Sequence, residues 1–160
     1  MEPEPLEPEP HSLLLQLSLV ILKQPLDFNF FSMVAVFVLL LICSAAISGS
    51  EVAFFSLKEK ILSQFRNSKV KSEQGIIKLV NKQKVLLATI LIVNNLVNIS
   101  LIILFTLTVD AFFDFSANQI VEFVFEVVVA TFLLVIFGEL VPKIYANQNN
   151  VAFARIMSIP

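Results

Sequence analysis

The sequence predicts an all-α integral membrane protein: three transmembrane helices with a short helical hairpin on their inner side. Three observations predict it. Apolar residues make up 57% of the 160-residue chain, against about 45–50% in soluble domains. Three stretches stay apolar over the roughly 17–25 residues that a bilayer crossing requires. Of eleven Lys and Arg residues, eight fall between Lys58 and Lys84. Charge is therefore segregated, and the net charge of −2 says less than that segregation. The length suits one domain.

The chain opens on MEPEPLEPEP. This is acidic, whereas a secretory signal begins with a basic region. Alternating Glu and Pro disfavours helix and strand alike, so an extended tail is expected. His11 beside it reads as a solvated loop residue. SLLLQLSLVIL (12–22) is too short to span and reads as an interfacial helix. Residues 1–30 thus form a tail and a surface helix. The first span is expected over about 31–57, where FFSMVAVFVLLLICSAAIS runs on into GSEVAFFSL. Its lone Cys43 excludes an internal disulfide and reads as a small buried hydrophobe. The second span is VLLATILIVNNLVNISLIILFTL (85–107) and the third is IVEFVFEVVVATFLLVIFGELVP (120–142).

Between the first two spans lies KEKILSQFRNSKVKSEQGIIKLVNKQK (58–84). Ile61, Leu62 and Phe65 recur at helical spacing, as do Ile76, Ile77 and Val80. Ser72, Glu73 and Gly75 are expected to divide the segment into a helical hairpin. Its basic residues would face lipid headgroups rather than nucleic acid; the pattern equally allows an ordinary cytoplasmic helical loop. The loop 109–118 has no basic residue and carries Asp110 and Asp114. By the positive-inside rule, 58–84 and the C-terminus are cytoplasmic and the N-terminus is outside. Three spans connect those two sides, in agreement with the three apolar stretches.

Each span carries polar residues where lipid would favour none. The first has Ser44, Ser48, Gly49, Ser50 and Glu51; the second has Asn94, Asn95, Asn98 and Ser100. The third has Glu122 and Glu126 toward the outside, then Gly138, Glu139, Pro142 and Lys143 toward the inside. Asn94 and Asn98 are four apart and share one helix face. Asn95 lies about 100° further round, suited to bonding a neighbouring helix. Gly49 and Gly138 invite local breaks. Pro142 lacks the N–H that would satisfy the Gly138 carbonyl. Hydroxyls, amide oxygens and a carboxylate thus converge between mid-membrane and the inner face. An all-oxygen set suits Mg²⁺, Ca²⁺, Mn²⁺ or Na⁺. The competing reading is that the amides only glue helices together, for about 1 kcal/mol or less per bond. Glu126 is deep enough to line an ion path, since intramembrane carboxylates are rare and functional. No nucleophile–base pair or phosphate loop appears, and no enzymatic activity is expected.

SGSEVAFFSL, ATILIVNNLVNI and FGELVPKIYA, in that order with a basic segment between the first two, resemble the membrane domain of the CNNM/CorC family. The likeness covers roughly 31–150. The acidic-proline start and Phe-rich first loop resemble the family's gliding-motility GldE branch. The resemblance implies a homodimeric Mg²⁺ transporter or exporter of the bacterial inner membrane, with Na⁺ as coupling ion. It implies that Ser48, Asn94, Asn98 and Glu139 hold the ion, with a backbone carbonyl near the third motif. Gly138 is one position for that carbonyl and the turn after Pro142 another; Ser50 and Glu51 are reserves. It also implies a cytoplasmic CBS-domain pair beyond this chain, with 151–160 beginning the linker. The alternative is a membrane scaffold or regulatory subunit, such as a part of gliding-motility assembly, whose polar residues only pack helices.

Overall fold

The computed structural model describes residues 21–22, 28–114 and 119–158. Three helices are long and apolar enough to cross a membrane. The first, α1, is Phe28–Phe55. At about 1.5 Å per residue its 28 residues exceed a hydrocarbon core of roughly 30 Å. It runs through Gly49 without the expected break. Gly49 instead permits a close approach: a Cβ there would lie 2.6 Å from the Phe153 ring. The second span, α4, is Gln83–Phe112. The third covers Gln119–Gln148. It comprises α5 (Gln119–Leu133), a π-helical segment (Leu134–Leu140) and α6 (Val141–Gln148).

The spans are inside out relative to a soluble protein. Val36, Leu39 and Ile42 of α1 are exposed, while its buried residues include Ser44, Ser48, Gly49, Ser50 and Ala53. Small side chains allow close helix approach, and polar ones avoid lipid. Cys43, expected inside, is exposed. The buried stripe passes through Ser44, and the adjacent position turns outward.

Three contacts define how α1 and α4 pack. Phe30 meets Phe112 with ring centroids 5.1 Å apart, Phe37 meets Phe105 at 5.9 Å, and Ser44 bonds Asn98. Each step of seven residues forward on α1 matches seven back on α4. The pair is antiparallel in one register, with the near-heptad repeat that keeps one seam in contact.

At one end of the bundle, β1 (Ile21–Leu22) pairs antiparallel with β2 (Phe113–Asp114), Ile21 opposite Asp114. Ile21 and Leu22 are therefore strand where an interfacial helix was expected; residues 12–20 lie outside the described residues. At the opposite end sits the hairpin, α2 (Glu59–Arg66) and α3 (Lys71–Asn81). Its break falls at Asn67–Val70 rather than at Gly75: Ser68 Oγ accepts from the Val70 N–H at 3.1 Å. Gly75 lies within α3, where a Cβ would come 2.9 Å from the Ser158 carbonyl oxygen.

Asn150–Met157 forms a helix, α7. It joins a core of Ala53, Phe54, Leu57, Leu62, Phe65, Ile76, Ala146 and Ala154. Arg155 pairs with buried Glu73 and lies over the Phe65 ring at 5.5 Å. The Ser68 hydroxyl and then Arg155 hold the Glu73 carboxyl below its ordinary pKa, against burial, which pushes it up.

Candidate metal centre

All three spans meet at one hydrogen-bonded chain. Ser44 Oγ of α1 donates to Asn98 Oδ1 of α4 at 2.8 Å. Asn98 Nδ2 donates to Glu139 Oε1 of the π segment at 3.0 Å. Ser44 is fully buried, and Asn98 and Glu139 are half-buried. Gly138 makes the junction possible, since a Cβ there would stand 3.1 Å from Ser44 Oγ. The π winding widens the helix immediately before Pro142, where the α-helical donor for the Gly138 carbonyl is missing. Such single widened turns recur at functional sites.

One turn toward the hairpin end, the chain of bonds stops. Ser48 follows Ser44 by four residues and Asn94 precedes Asn98 by four, so the register of α1 and α4 sets them level. Ser48 is 1% exposed. Its Oγ and Asn94 Oδ1 are both buried with no hydrogen-bond partner. Leaving a buried polar group unpaired costs about 1–3 kcal/mol, so two at one level are not a neutral packing outcome. Both are oxygens, beside a carboxylate and a further amide. This donor set fits a hard cation and offers nothing to a soft one.

The remaining polar positions sort by their partners. Ser50 Oγ donates to the Ala46 carbonyl at 2.6 Å, and Ser100 Oγ to that of Leu96 at 2.9 Å. Both bonds are internal to a helix and use the hydroxyl proton, leaving the oxygen lone pairs. Glu51 Oε2 pairs with Lys143 Nζ at 3.3 Å. Asn95 is exposed rather than bonded to a neighbouring helix. Glu126 accepts from Thr106 Oγ1 at 3.5 Å and groups with Asp110 and Glu122, ligand atoms within 4.8 Å of one another. It stands thirteen residues before Glu139, about 20 Å along the span, and belongs to the far end of the bundle. The sequence places Ser44 in the first cluster and, with Ala45, Ala46 and Gly49, among the small residues that allow close helix approach, but not among the ion ligands. Its spacing of four from Ser48 is the signal that marks it.

Three membrane-crossing helices around a buried cluster of hydroxyl, amide and carboxylate define a multi-pass membrane protein with a polar centre. The family profile described as the cyclin M transmembrane N-terminal domain matches residues 35–160, and the chain belongs to this CNNM family. No curated protein sequence matches it.

Proposed function

We propose that this domain transports a divalent cation, Mg²⁺, and that the ion is held by Ser48, Asn94, Asn98 and Glu139 with the Gly138 carbonyl. The observation that carries the reading is the pair of buried, unpartnered oxygens, Ser48 Oγ and Asn94 Oδ1, beside the Asn98–Glu139 bond. Without an ion, the Asn98 Nδ2–H group supplies the positive partner of Glu139. A cation arriving at Glu139 takes over that role and gives the two orphaned oxygens the charge they lack. One carboxylate among neutral oxygens leaves a dication only partly compensated, which favours release over permanent capture.

On this reading the hairpin end is cytoplasmic, from its basic residues, and Na⁺ is the coupling ion that the family resemblance implies. A second copy completes the unit: Asn95 is exposed at membrane depth in the single chain, where an unsatisfied amide is costly, and a homodimer would cover it.

The test is thermal stability of the detergent-solubilised protein. Mg²⁺ is expected to raise the unfolding temperature beyond KCl at equal ionic strength. Asn98→Ala and Glu139→Ala, each confirmed as folded, are expected to abolish that difference. An unchanged Mg²⁺ response in both variants overturns the site. Absence of any response in the wild type favours a scaffold in which these groups only pack helices.

A further inference from the structure

Lys143 is the one basic residue within Gln119–Gln148, and α1 has none at all. Lys143 lies at the inner end of the third span. Its ammonium pairs with Glu51 at 3.3 Å, and the two side chains stay 38% and 37% exposed. Lys143 follows Glu139 by four residues on the same span. Carboxylate followed by ammonium four residues later is the spacing that allows a pair along one helix. Glu51 follows Ser48 by three residues on α1, one layer nearer the hairpin end. The ammonium contacts Glu51, and Lys143 follows the carboxylate of the centre, Glu139, by four residues of chain.

Resting on the ion-site reading above, the geometry points to Lys143 as a tethered competitor for the cation site, with Glu51 as the residue that holds it off. Released from Glu51, the flexible stem lets the ammonium reach Glu139. There it offsets the half-buried carboxylate as the Asn98 amide does, but with a full charge. An ion and the ammonium cannot share that carboxylate without repulsion, so seating one displaces the other. Glu51 is a positioning residue in this scheme: it never needs to touch the ion.

Competition has a signature that a structural ion pair lacks. The two partners act with opposite sign on ion binding, and they are not independent. The experiment is a double-mutant cycle on the purified full chain: wild type, Lys143→Met, Glu51→Gln and the double variant. For each, the Mg²⁺ concentration giving half the maximal thermal shift is measured, with Asn98→Ala as the site-dead control.

Lys143→Met is expected to lower that concentration on the order of tenfold, the effect of removing a like charge about one turn away. Glu51→Gln frees the ammonium and raises it. The double variant is expected to match Lys143→Met, because with no ammonium present Glu51 has nothing to restrain. Should Lys143→Met not fold, Lys143→Gln serves in its place.

A double variant that returns to the wild-type concentration shows additive long-range charge and overturns the competitor. So does a cycle in which both single variants move in one direction or not at all, which describes a pair that only holds helices together. If Asn98→Ala is silent while the cycle is flat, the ion site stands and this inference alone fails. If the folded wild type shows no Mg²⁺ response, both fall.

Discussion

The hairpin end and the bundle centre solve the problem of buried polar groups differently. At the hairpin end each one is matched. Glu73 has Arg155, and Asn150 Nδ2 donates to Ser56 at its carbonyl (3.2 Å) and hydroxyl (3.1 Å). Ser158 Oγ lies 3.0 Å from the Ser72 carbonyl. Among the described residues, the buried side-chain atoms left without partners are Ser48 Oγ, Asn94 Oδ1 and Glu126 Oε1, all within the spans. A polar network that closes on itself fixes a shape. One that stops short, at a level where three helices meet, has capacity left for something else. The contrast separates residues that hold the domain together from residues that would hold an ion.

The largest effect should come from the closed end. Ile76 is fully buried in the core formed by α1, the hairpin and α7. Ile76→Ala should cost about 2–5 kcal/mol by leaving a cavity. Thermal unfolding in detergent measures this. The Mg²⁺ concentration for half-maximal shift should stay unchanged, since none of the proposed ligands is a member of this core. A large change in that concentration would mean that the two regions are coupled and that the comparison is too simple.

Acid should also act on the closed end. The folded carboxyl of Glu73 is lowered from its ordinary value of 4.5, first by the Ser68 hydroxyl and then by Arg155. A lowered folded pKa contributes stability that is present above the unfolded value and is lost as pH falls through the folded one. The stability gap between wild type and Glu73→Gln should therefore be full near neutrality and close as pH falls below about 4.5. A gap that is flat across that window would remove the Glu73–Arg155 pair from the account.

How much of this was readable beforehand depends on how local each cause is. The spans follow from apolar runs, and the hairpin from helical spacing in a basic segment. The shared face of Asn94 and Asn98 follows from a spacing of four. What was missed depends on distant partners. Gly49 reads locally as a helix breaker, yet its reason is the Phe153 ring on α7. Gly75 reads as the hairpin break, yet it faces Ser158 while Asn67 and Ser68 end the helix. Residues 150–157 are a short segment with no strong local signal, yet Ala154 joins the core that contains Ala53 and Phe65. Gly138 and Pro142 mark the break locally, but the approach of Gly138 to Ser44 on another span is not readable from them. Ser44 itself is a small neutral residue whose role appears once Asn98 is opposite it.

The smallest expected stability change is the most discriminating. Ser48→Ala removes a buried hydroxyl oxygen that has no partner. At an ordinary hydrogen-bonded serine such a change costs about 1 kcal/mol. Here there is no bond to lose, and an uncompensated polar atom disappears. The ion-free protein should unfold at the wild-type temperature or slightly above it. The Mg²⁺-dependent rise should nonetheless shrink or vanish, because the deleted oxygen is one the ion would use. A scaffold residue behaves the other way, losing stability with no change in the ion response. If Ser48→Ala destabilises the ion-free protein by about 1 kcal/mol or more and leaves the Mg²⁺ response intact, its hydroxyl serves packing, and the bundle centre is as closed as the hairpin end.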